Sequence, residues 1–374
     1  MSLTLSSVLT TSLLGTALIL IVCPLLKRNK VLEKVGPNCV KILLLALALR
    51  MLFPFEMRIT HSIHIQKVLP FIYDALKYEI QLGTLRCSIY QIVMAVWVLG
   101  VLYSLGKKAI IYKGLIRYIQ LLPFKGVAEI YNESNIEEQY PEIAQIRVVY
   151  IKEIKTPFLL GMYPAYILLP EGVYTSEQLG FIIKHELMHH RKRDVLWKCV
   201  IDILCSVFWW NPAMIYLKKS VFQIVEISND IDITTYMTEK EKISYMECLR
   251  DIAVNEKVKD RTFTVPFCKS NFKDLRQRLN LIDDGVTLCP QIVSFVSMFV
   301  ILLILGISMV IFEPYSPPEE GTPLTSENTY LIMQGQIFDV YVEGEYLFTT
   351  DDLEPFQGIK IYDNIQEAKR NDKD

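Results

Sequence analysis

A run of about 20 apolar residues leaves a chain few choices, because a bilayer offers no partners for backbone N–H and C=O groups and only a helix satisfies them within one segment. Three stretches of this chain qualify, and a fourth is marginal. Residues 3–26 are mostly apolar and carry no charge. Residues 39–55 form a shorter stretch that carries Lys41 and Arg50. Residues 87–105 are apolar and aromatic, and residues 291–312 are the cleanest of the four. Composition agrees. Of the 374 residues 51% are hydrophobic, and the mean hydropathy of +0.28 exceeds what a soluble enzyme of this length needs.

An N-terminal apolar run can also be a signal peptide, but this one lacks a basic start, and its positive charges, Lys27, Arg28, Lys30 and Lys34, come after it. Read as a span, it is oriented by the rule that basic loops stay inside. The N-terminus is then outside and residues 56–86 form an outside loop. Lys107, Lys108, Lys113 and Arg117 return the chain to the cytoplasm, and the last span delivers residues 313–374 outside. That tail holds 14 acidic and 4 basic residues, a net −10, so the rest of a chain of net −2 carries +8. Such a split fits two different surroundings, and the near-zero total gives no reason to expect direct contact with nucleic acid.

The expected organisation is therefore three spans within 1–111, a cytoplasmic domain over 112–290, a fourth span over 291–312 and a short acidic extracellular tail over 313–374. Inside the domain, residues 146–151 and 165–169 read as strands, with Thr156-Pro157 and Gly161 as turn signals between them, and helices follow. This is an α+β order inserted into an α-helical membrane protein. The runs 330–333 and 336–342 give the tail a β-rich reading. Eight cysteines are scattered singly with no CxxC pair, so a cysteine zinc site is not expected, and the tail has none to staple it.

The chemistry is concentrated at His185-Glu186-Leu187-Met188-His189. Thr175-Ser176-Glu177-Gln178 has the form of a capping box that opens a helix, whose apolar face is Leu179, Ile182, Ile183 and Leu187. Two histidines four apart on a helix share a face and can reach one ion, and the intervening glutamate can take a proton from a water on that ion. Zn2+ suits neutral imidazoles with an open position for water. A third protein ligand is needed. His190 follows His189 and points off the face, while His61 and His64 fall in the outside loop. A carboxylate is then expected, and Glu226 fits, with Asp230 one turn on to orient a ligand histidine through its ring N–H. Tyr163, Tyr174 and Tyr236 are oxyanion-stabilising candidates by residue type alone.

These elements occur in an order that resembles the BlaR/MecR family of membrane-embedded zinc metallopeptidases. Thr156-Pro157-Phe158-Leu159-Leu160-Gly161, Pro164 and Leu168-Leu169-Pro170 are similar to the family's segment before the active helix. His185 to Asp194 fits its HExxHxxxxD pattern, which adds Asp194 to the expected supporting residues. Trp209-Trp210-Asn211-Pro212 is similar to its aromatic Asn-Pro element, and Glu226 to Asp230 matches its ExxxD element. The resemblance covers about residues 1–312. It implies a zincin-like (gluzincin) metallopeptidase domain, with Glu186 catalytic and His185, His189 and Glu226 on the metal. It also implies an external signal converted into cytoplasmic proteolysis that relieves transcriptional repression. A BlaI/MecI-like repressor is the expected target, membrane lipid and an unidentified extracellular ligand are the other expected partners, and a homodimer is compatible with the pattern. Some relatives cleave themselves; Arg276 and Arg278 lie in the comparable region but read as a basic helix face. The family's penicillin-binding sensor is not expected in 313–374, which has no Ser-x-x-Lys. A housekeeping HtpX-like membrane protease and a catalytically idle receptor are the competing readings.

Overall fold

The apolar runs fold as helices. The computed structural model describes residues 5–52, 61–65, 68–82, 85–131, 143, 145–172, 174–258, 272–314, 324–325, 328–334, 337–351, 353, 356, 358–363 and 368. The chain divides into two units, Met1–Ile63 with Tyr78–Phe312, and His64–Lys77 with Glu313–Asp374.

The first unit begins with α1 (Leu5–Leu26), α2 (Asn29–Val35) and α3 (Pro37–Leu52). After β1 (His61–Ile65) the chain enters α4 (Val68–Lys77), which belongs to the second unit. A hairpin of β2 (Glu79–Leu82) and β3 (Leu85–Ser88) leads back to α5 (Ile89–Gln120), opened by a capping box between Ser88 and Gln91. Then come β4 (Lys125–Gly126), α6 (Val127–Ile130), β5 (Ile146–Ile151), β6 (Phe158–Leu160) and β7 (Ala165–Pro170). Helices follow: α7 (Ser176–Arg191), α8 (Asp194–Val207), α9 (Pro212–Thr234), α10 (Glu239–Val258), α11 (Phe272–Asp284) and α12 (Pro290–Ser308).

Among the described residues three helices are long and apolar enough to cross a membrane: Ser6–Leu26, Ile89–Gln120 and Pro290–Ser308. The marginal stretch behaves differently. Its helix begins at Pro37 and ends at Leu52, and it makes a fourth span only when α2 and α3, bent by 105°, are counted as one. Residues 53–55 of that expected span lie outside the described residues. The charges that made it marginal have partners. Arg50 Nε donates to Ser308 Oγ at 2.6 Å, and Lys41 Nζ lies 3.9 Å from Asp194 Oδ1. Packing explains the rest, because Leu44, Leu47, Ala48 and Met51 of α3 are buried in a core shared with Leu217, Val221 and Ile224 of α9. The helix α5 is longer than the expected third span and is continuous across 111–112. Its end carries Ile119 into the core on one face of the sheet.

That sheet has the order β4-β5-β7-β6, with β5 parallel to β7 and both edge pairs antiparallel. The two expected strands are its centre. Alternation assigns the faces. Ile146, Val148, Ala165, Ile167 and Leu169 pack toward α7, whereas Val149, Ile151, Tyr166 and Leu168 pack toward the end of α5. All six residues of β7 are buried, as a strand covered on both faces must be. Gly161 reverses the chain between β6 and β7 at φ 76, where a Cβ would meet the Pro164 carbonyl oxygen at 2.7 Å, so the turn signal there is a steric requirement. The Asn-Pro element also has a local cause. Asn211 caps α9 by accepting from Ala213 N–H at 3.0 Å, Pro212 sits in the first turn, and the Asn211 amide donates to Thr16 Oγ1 of α1 at 2.7 Å. Trp209 packs on α5 at Gly100, where a Cβ would come within 2.4 Å of its ring.

After β8 (Val310–Pro314), the second unit contains β9 (Thr329–Gln334), β10 (Ile337–Val342), β11 (Glu345–Thr350) and β12 (Lys360–Tyr362) in the order β11-β10-β9-β12. The β-rich reading of the tail matches β9 and β10; Gln336 lies outside the described residues. Glu343 and Gly344, both at positive φ, make the two-residue turn of the β10–β11 hairpin. Leu331, Val340 and Phe356 are its small core.

Candidate metal centre

Thr175 caps α7 as the box predicts, its hydroxyl accepting from Gln178 N–H at 3.1 Å while the Gln178 side chain accepts from Thr175 N–H at 3.2 Å. The helix then buries Ile182, Ile183 and Leu187 against the sheet, which turns His185 and His189 inward toward α9. Their ring centroids are 5.0 Å apart. Glu226 of α9 meets both: Oε2 lies 3.3 Å from His185 Nε2, and Oε1 lies 3.4 Å from His189 Nε2. One ligand atom from each of the three falls within 4.8 Å of the others. Among the described residues this is the group of His, Cys, Asp and Glu side chains with that geometry.

The far side of each imidazole is fixed. Arg193 adopts a left-handed conformation (φ 54, ψ 37) between α7 and α8, and this sharp reversal returns Asp194 to within 2.8 Å of His189 Nδ1. The Asn229 amide nitrogen donates to the same Asp194 oxygen at 2.8 Å. His185 Nδ1 lies 2.9 Å from Tyr245 Oη, and Tyr245 donates to Asp230 Oδ1 at 2.7 Å. Because the tyrosine proton goes to Asp230, its oxygen accepts from His185 Nδ1–H. With a cation on the Nε2 side, His185 would keep its proton on Nδ1 toward Tyr245; His189 Nδ1 lies 2.8 Å from both Asp194 Oδ2 and the Asn229 amide nitrogen, and both Nε2 atoms face Glu226. Asp230 also comes within 3.4 Å of His185 Nδ1, so its expected orienting contact operates largely through Tyr245.

Arg278 of α11 holds Asp230 with two bonds, Nε to Oδ2 at 2.6 Å and Nη2 to Oδ1 at 2.9 Å, and its Nη1 is 3.9 Å from Glu226 Oε2. This corrects the reading of Arg276 and Arg278 as one basic face. Arg276 is exposed, whereas the Arg278 side chain is only 14% exposed. Residues two apart on a helix lie about 200° apart around it. Of the tyrosines named by type, Tyr163 and Tyr236 are exposed and Tyr174 packs beside the sheet core; the tyrosine hydrogen-bonded at the centre is Tyr245, which no local pattern marks. His190 stays out of the cluster, as expected, with Tyr163 edge-on to its ring.

The electrostatics favour positive charge at the point where these groups converge. Burial works against a charged His185, but hydrogen bonds and charge from Asp230 and Glu226 overcome it and push its pKa up to about 10. Burial would also raise Glu226, yet Lys198 and His189 hold it well below the usual carboxylate range. Asp230 is likewise opposed by burial and brought to about 2, chiefly by Arg278, and Asp194 is lowered by His189. Burial and the Asp230 charge push Tyr245 well above its ordinary value, so it remains a donor. The field that would protonate His185 also attracts a metal cation, which competes for the same lone pair. Two imidazole nitrogens and one carboxylate are a donor set that suits zinc and leaves a position open. Beside them Glu186 is buried, and its Oε2 has no hydrogen-bond partner among the described residues. A buried carboxylate oxygen requires one, and a water at an open metal position would supply it.

Comparison with known proteins identifies the family. Residues 6–282 match the family model described as BlaR1 peptidase M56. The chain is 26% identical over 226 residues to the regulatory protein BlaR1 of Bacillus licheniformis, a stretch covering 57% of this chain and 36% of that protein. It is 24% identical over 189 residues to regulatory protein BlaR1 of Staphylococcus aureus, covering 49% and 30%. It is 26% identical over 107 residues to the methicillin resistance mecR1 protein of Staphylococcus aureus (strain Mu50), covering 28% and 18%. The matched regions thus span about a third or less of these relatives' length. With a family model matching most of its length, the chain belongs to the BlaR1 peptidase M56 family, the BlaR/MecR type of membrane peptidase.

Proposed function

We propose that this chain is a zinc metalloendopeptidase that converts an external signal into cytoplasmic proteolysis and so relieves transcriptional repression, with a BlaI/MecI-like repressor as its target. One observation carries the peptidase part. His185, His189 and Glu226 converge with the Nδ1 of each imidazole engaged on the far side, and Glu186 is buried beside them with an oxygen lacking a partner among the described residues. The regulatory part rests on family membership and on the relatives being regulatory and resistance proteins by name.

Zinc held by this trio would supply Lewis acidity toward a carbonyl oxygen and toward water. Glu186 takes the proton of the attacking water and returns it to the departing amine. Asp194 and the Tyr245–Asp230–Arg278 chain hold the imidazoles so that neither ring turns its protonated nitrogen inward. The domain is of the gluzincin kind, with the third ligand a glutamate on a following helix.

Purified protein is expected to hold about one zinc per chain, as one trio of ligands implies. His185→Ala is expected to lose that zinc, and chelation of the wild type to stop proteolysis reversibly. Elemental analysis showing equal zinc in His185→Ala and wild type would remove the metal assignment.

The membrane part of the reading counts the bent pair α2–α3 as a span. The four spans then place the N-terminus and residues 313–374 outside and residues 112–290 in the cytoplasm. A phosphatase reporter active only outside the cell, fused after Asp374, is expected to be active. An inactive, well-expressed fusion would reverse the sidedness.

A further inference from the structure

Residues 203–217, which join α8 to α9 and include the ends of both, carry no charge. The residues on either side, Asp202 and Lys218, are charged and pair with each other. Lys108 of α5 joins them at the neck, donating to the Asp202 carbonyl oxygen and to Ser206 Oγ, each at 2.7 Å. Beyond the neck the two arms form an apolar hairpin. Ile203 on α8, Trp209 and Trp210 in the turn and Ile215 on α9 are between 44% and 54% exposed. Large apolar side chains gathered on one exposed tip, with the charges drawn back to its base, make a surface suited to apolar surroundings.

The tip meets two spanning helices at matching depths. The Asn211 amide donates to Thr16 Oγ1, at the middle of α1. Trp97 Nε1 of α5 donates to the Val207 carbonyl oxygen at 2.9 Å, and Trp209 packs on Gly100. At about 1.5 Å per residue, Thr16 lies about 17 Å from the start of α1, and Trp97 and Gly100 lie about 12 and 17 Å from the start of α5. A hydrocarbon core is about 30 Å thick, so all three sit near its middle. Backbone at that depth must find partners within the protein. Around the turn, Phe208 N–H bonds to the Leu204 carbonyl, Asn211 N–H to that of Phe208 and Met214 N–H to that of Asn211. Trp97 takes the Val207 carbonyl, Asn211 Oδ1 takes Ala213 N–H, and Pro212 has no N–H to satisfy.

We propose that the α8–α9 tip is a re-entrant element: it enters the hydrocarbon core beside α1 and α5 without crossing it, and Ile203, Trp209, Trp210 and Ile215 face lipid acyl chains. The metallopeptidase domain keeps its side of the membrane but is anchored in the bilayer through the two helices that carry Asp194 and Glu226. Glu226 follows Pro212 by about 21 Å along α9. Half of a hydrocarbon core is about 15 Å, so the metal centre lies at the membrane surface and a scissile bond meets it there. The placement rests on α1 and α5 crossing the membrane and is independent of whether the centre cleaves peptides.

The test uses the full chain in vesicles of phosphatidylcholine and phosphatidylglycerol, where the emission of its 4 tryptophans reports depth. Phosphatidylcholine brominated at the middle of its chains or near the head group quenches an indole in lipid, and iodide quenches one in water. The Trp210 component is the difference between wild type and Trp210→Phe. It is expected to lose most of its emission to bromines at the chain middle, less to bromines near the head group and almost none to iodide. Ile215→Trp, on the other arm, is expected to add emission with the same dependence, which checks the depth without removing a native tryptophan. Quenching of the Trp210 component by iodide, while the Trp97 component (wild type less Trp97→Phe) is quenched by lipid, overturns the proposal and leaves the spans standing. Protection of Trp210 from both quenchers overturns it too, because protein, such as a second copy of the chain, then covers the tip. If bromines quench neither Trp97 nor Trp210, the spans fall and the re-entrant tip falls with them.

Discussion

Glu186→Gln is expected to leave the protein folded and zinc-loaded but to reduce proteolysis by about 1000-fold or more, within the contribution of a positioned general base together with its proton delivery. Glutamine has the same shape, so the neighbours of a buried side chain need not move. It lacks the basic carboxylate oxygen, so water is left without a proton acceptor in reach. Stability should move the other way if it moves at all. Glu186 Oε2 is buried without a hydrogen-bond partner among the described residues, and replacing a carboxylate there by a neutral amide removes a desolvation penalty. Thermal unfolding in detergent is therefore expected at the wild-type midpoint or slightly above. The combination is diagnostic: retained zinc, unchanged or raised midpoint, lost cleavage. Wild-type signalling by Glu186→Gln in cells would favour an idle receptor instead.

How much of this centre the sequence discloses depends on chain separation. His185, Glu186 and His189 are legible because one helix sets their geometry. Asp194 is legible only through the family pattern; in the structure a left-handed residue, Arg193, folds α8 back onto α7 within five residues. Glu226 and Asp230 are reachable by ligand counting and helical spacing, since both sit on α9 one turn apart. Tyr245 and Arg278 are not. Each comes from a further helix, and periodicity tells which face of a helix is apolar without telling which other helix it will meet. The marginal second stretch shows the same limit. Its charges made residues 39–55 look weak, but Arg50 finds Ser308 on α12 and Lys41 approaches Asp194, contacts that no local window contains. The central strands, by contrast, appear where their alternation and turn signals place them, because β5 and β7 are each buried on two faces by their own pattern.

Arg278→Ala should be the most destabilising single change at the centre outside the proposed metal ligands themselves. The Asp230 side chain is 1% exposed and receives two charge-assisted bonds from Arg278. Removing the guanidinium strands a buried carboxylate, which costs about 3–5 kcal/mol in comparable broken pairs. The damage passes to the metal through Tyr245. An unpaired Asp230 gains a proton or moves, Tyr245 loses its acceptor, and its oxygen no longer holds His185 Nδ1. Loss of such a supporting partner lowers metal affinity by about 10- to 100-fold. A large drop in unfolding midpoint is therefore expected together with weaker zinc binding. A compensating variant separates the two effects. In Arg278→Met with Asp230→Asn the buried charges leave together, so most of the stability should return. Zinc affinity should recover less, because an asparagine is a poorer acceptor for the Tyr245 hydroxyl. An Arg278→Ala protein that melts like wild type and binds zinc as tightly would show that α11 merely covers the site. The expected result instead makes the sixth helix of this peptidase region, joined to α10 through residues 259–271, part of the metal centre.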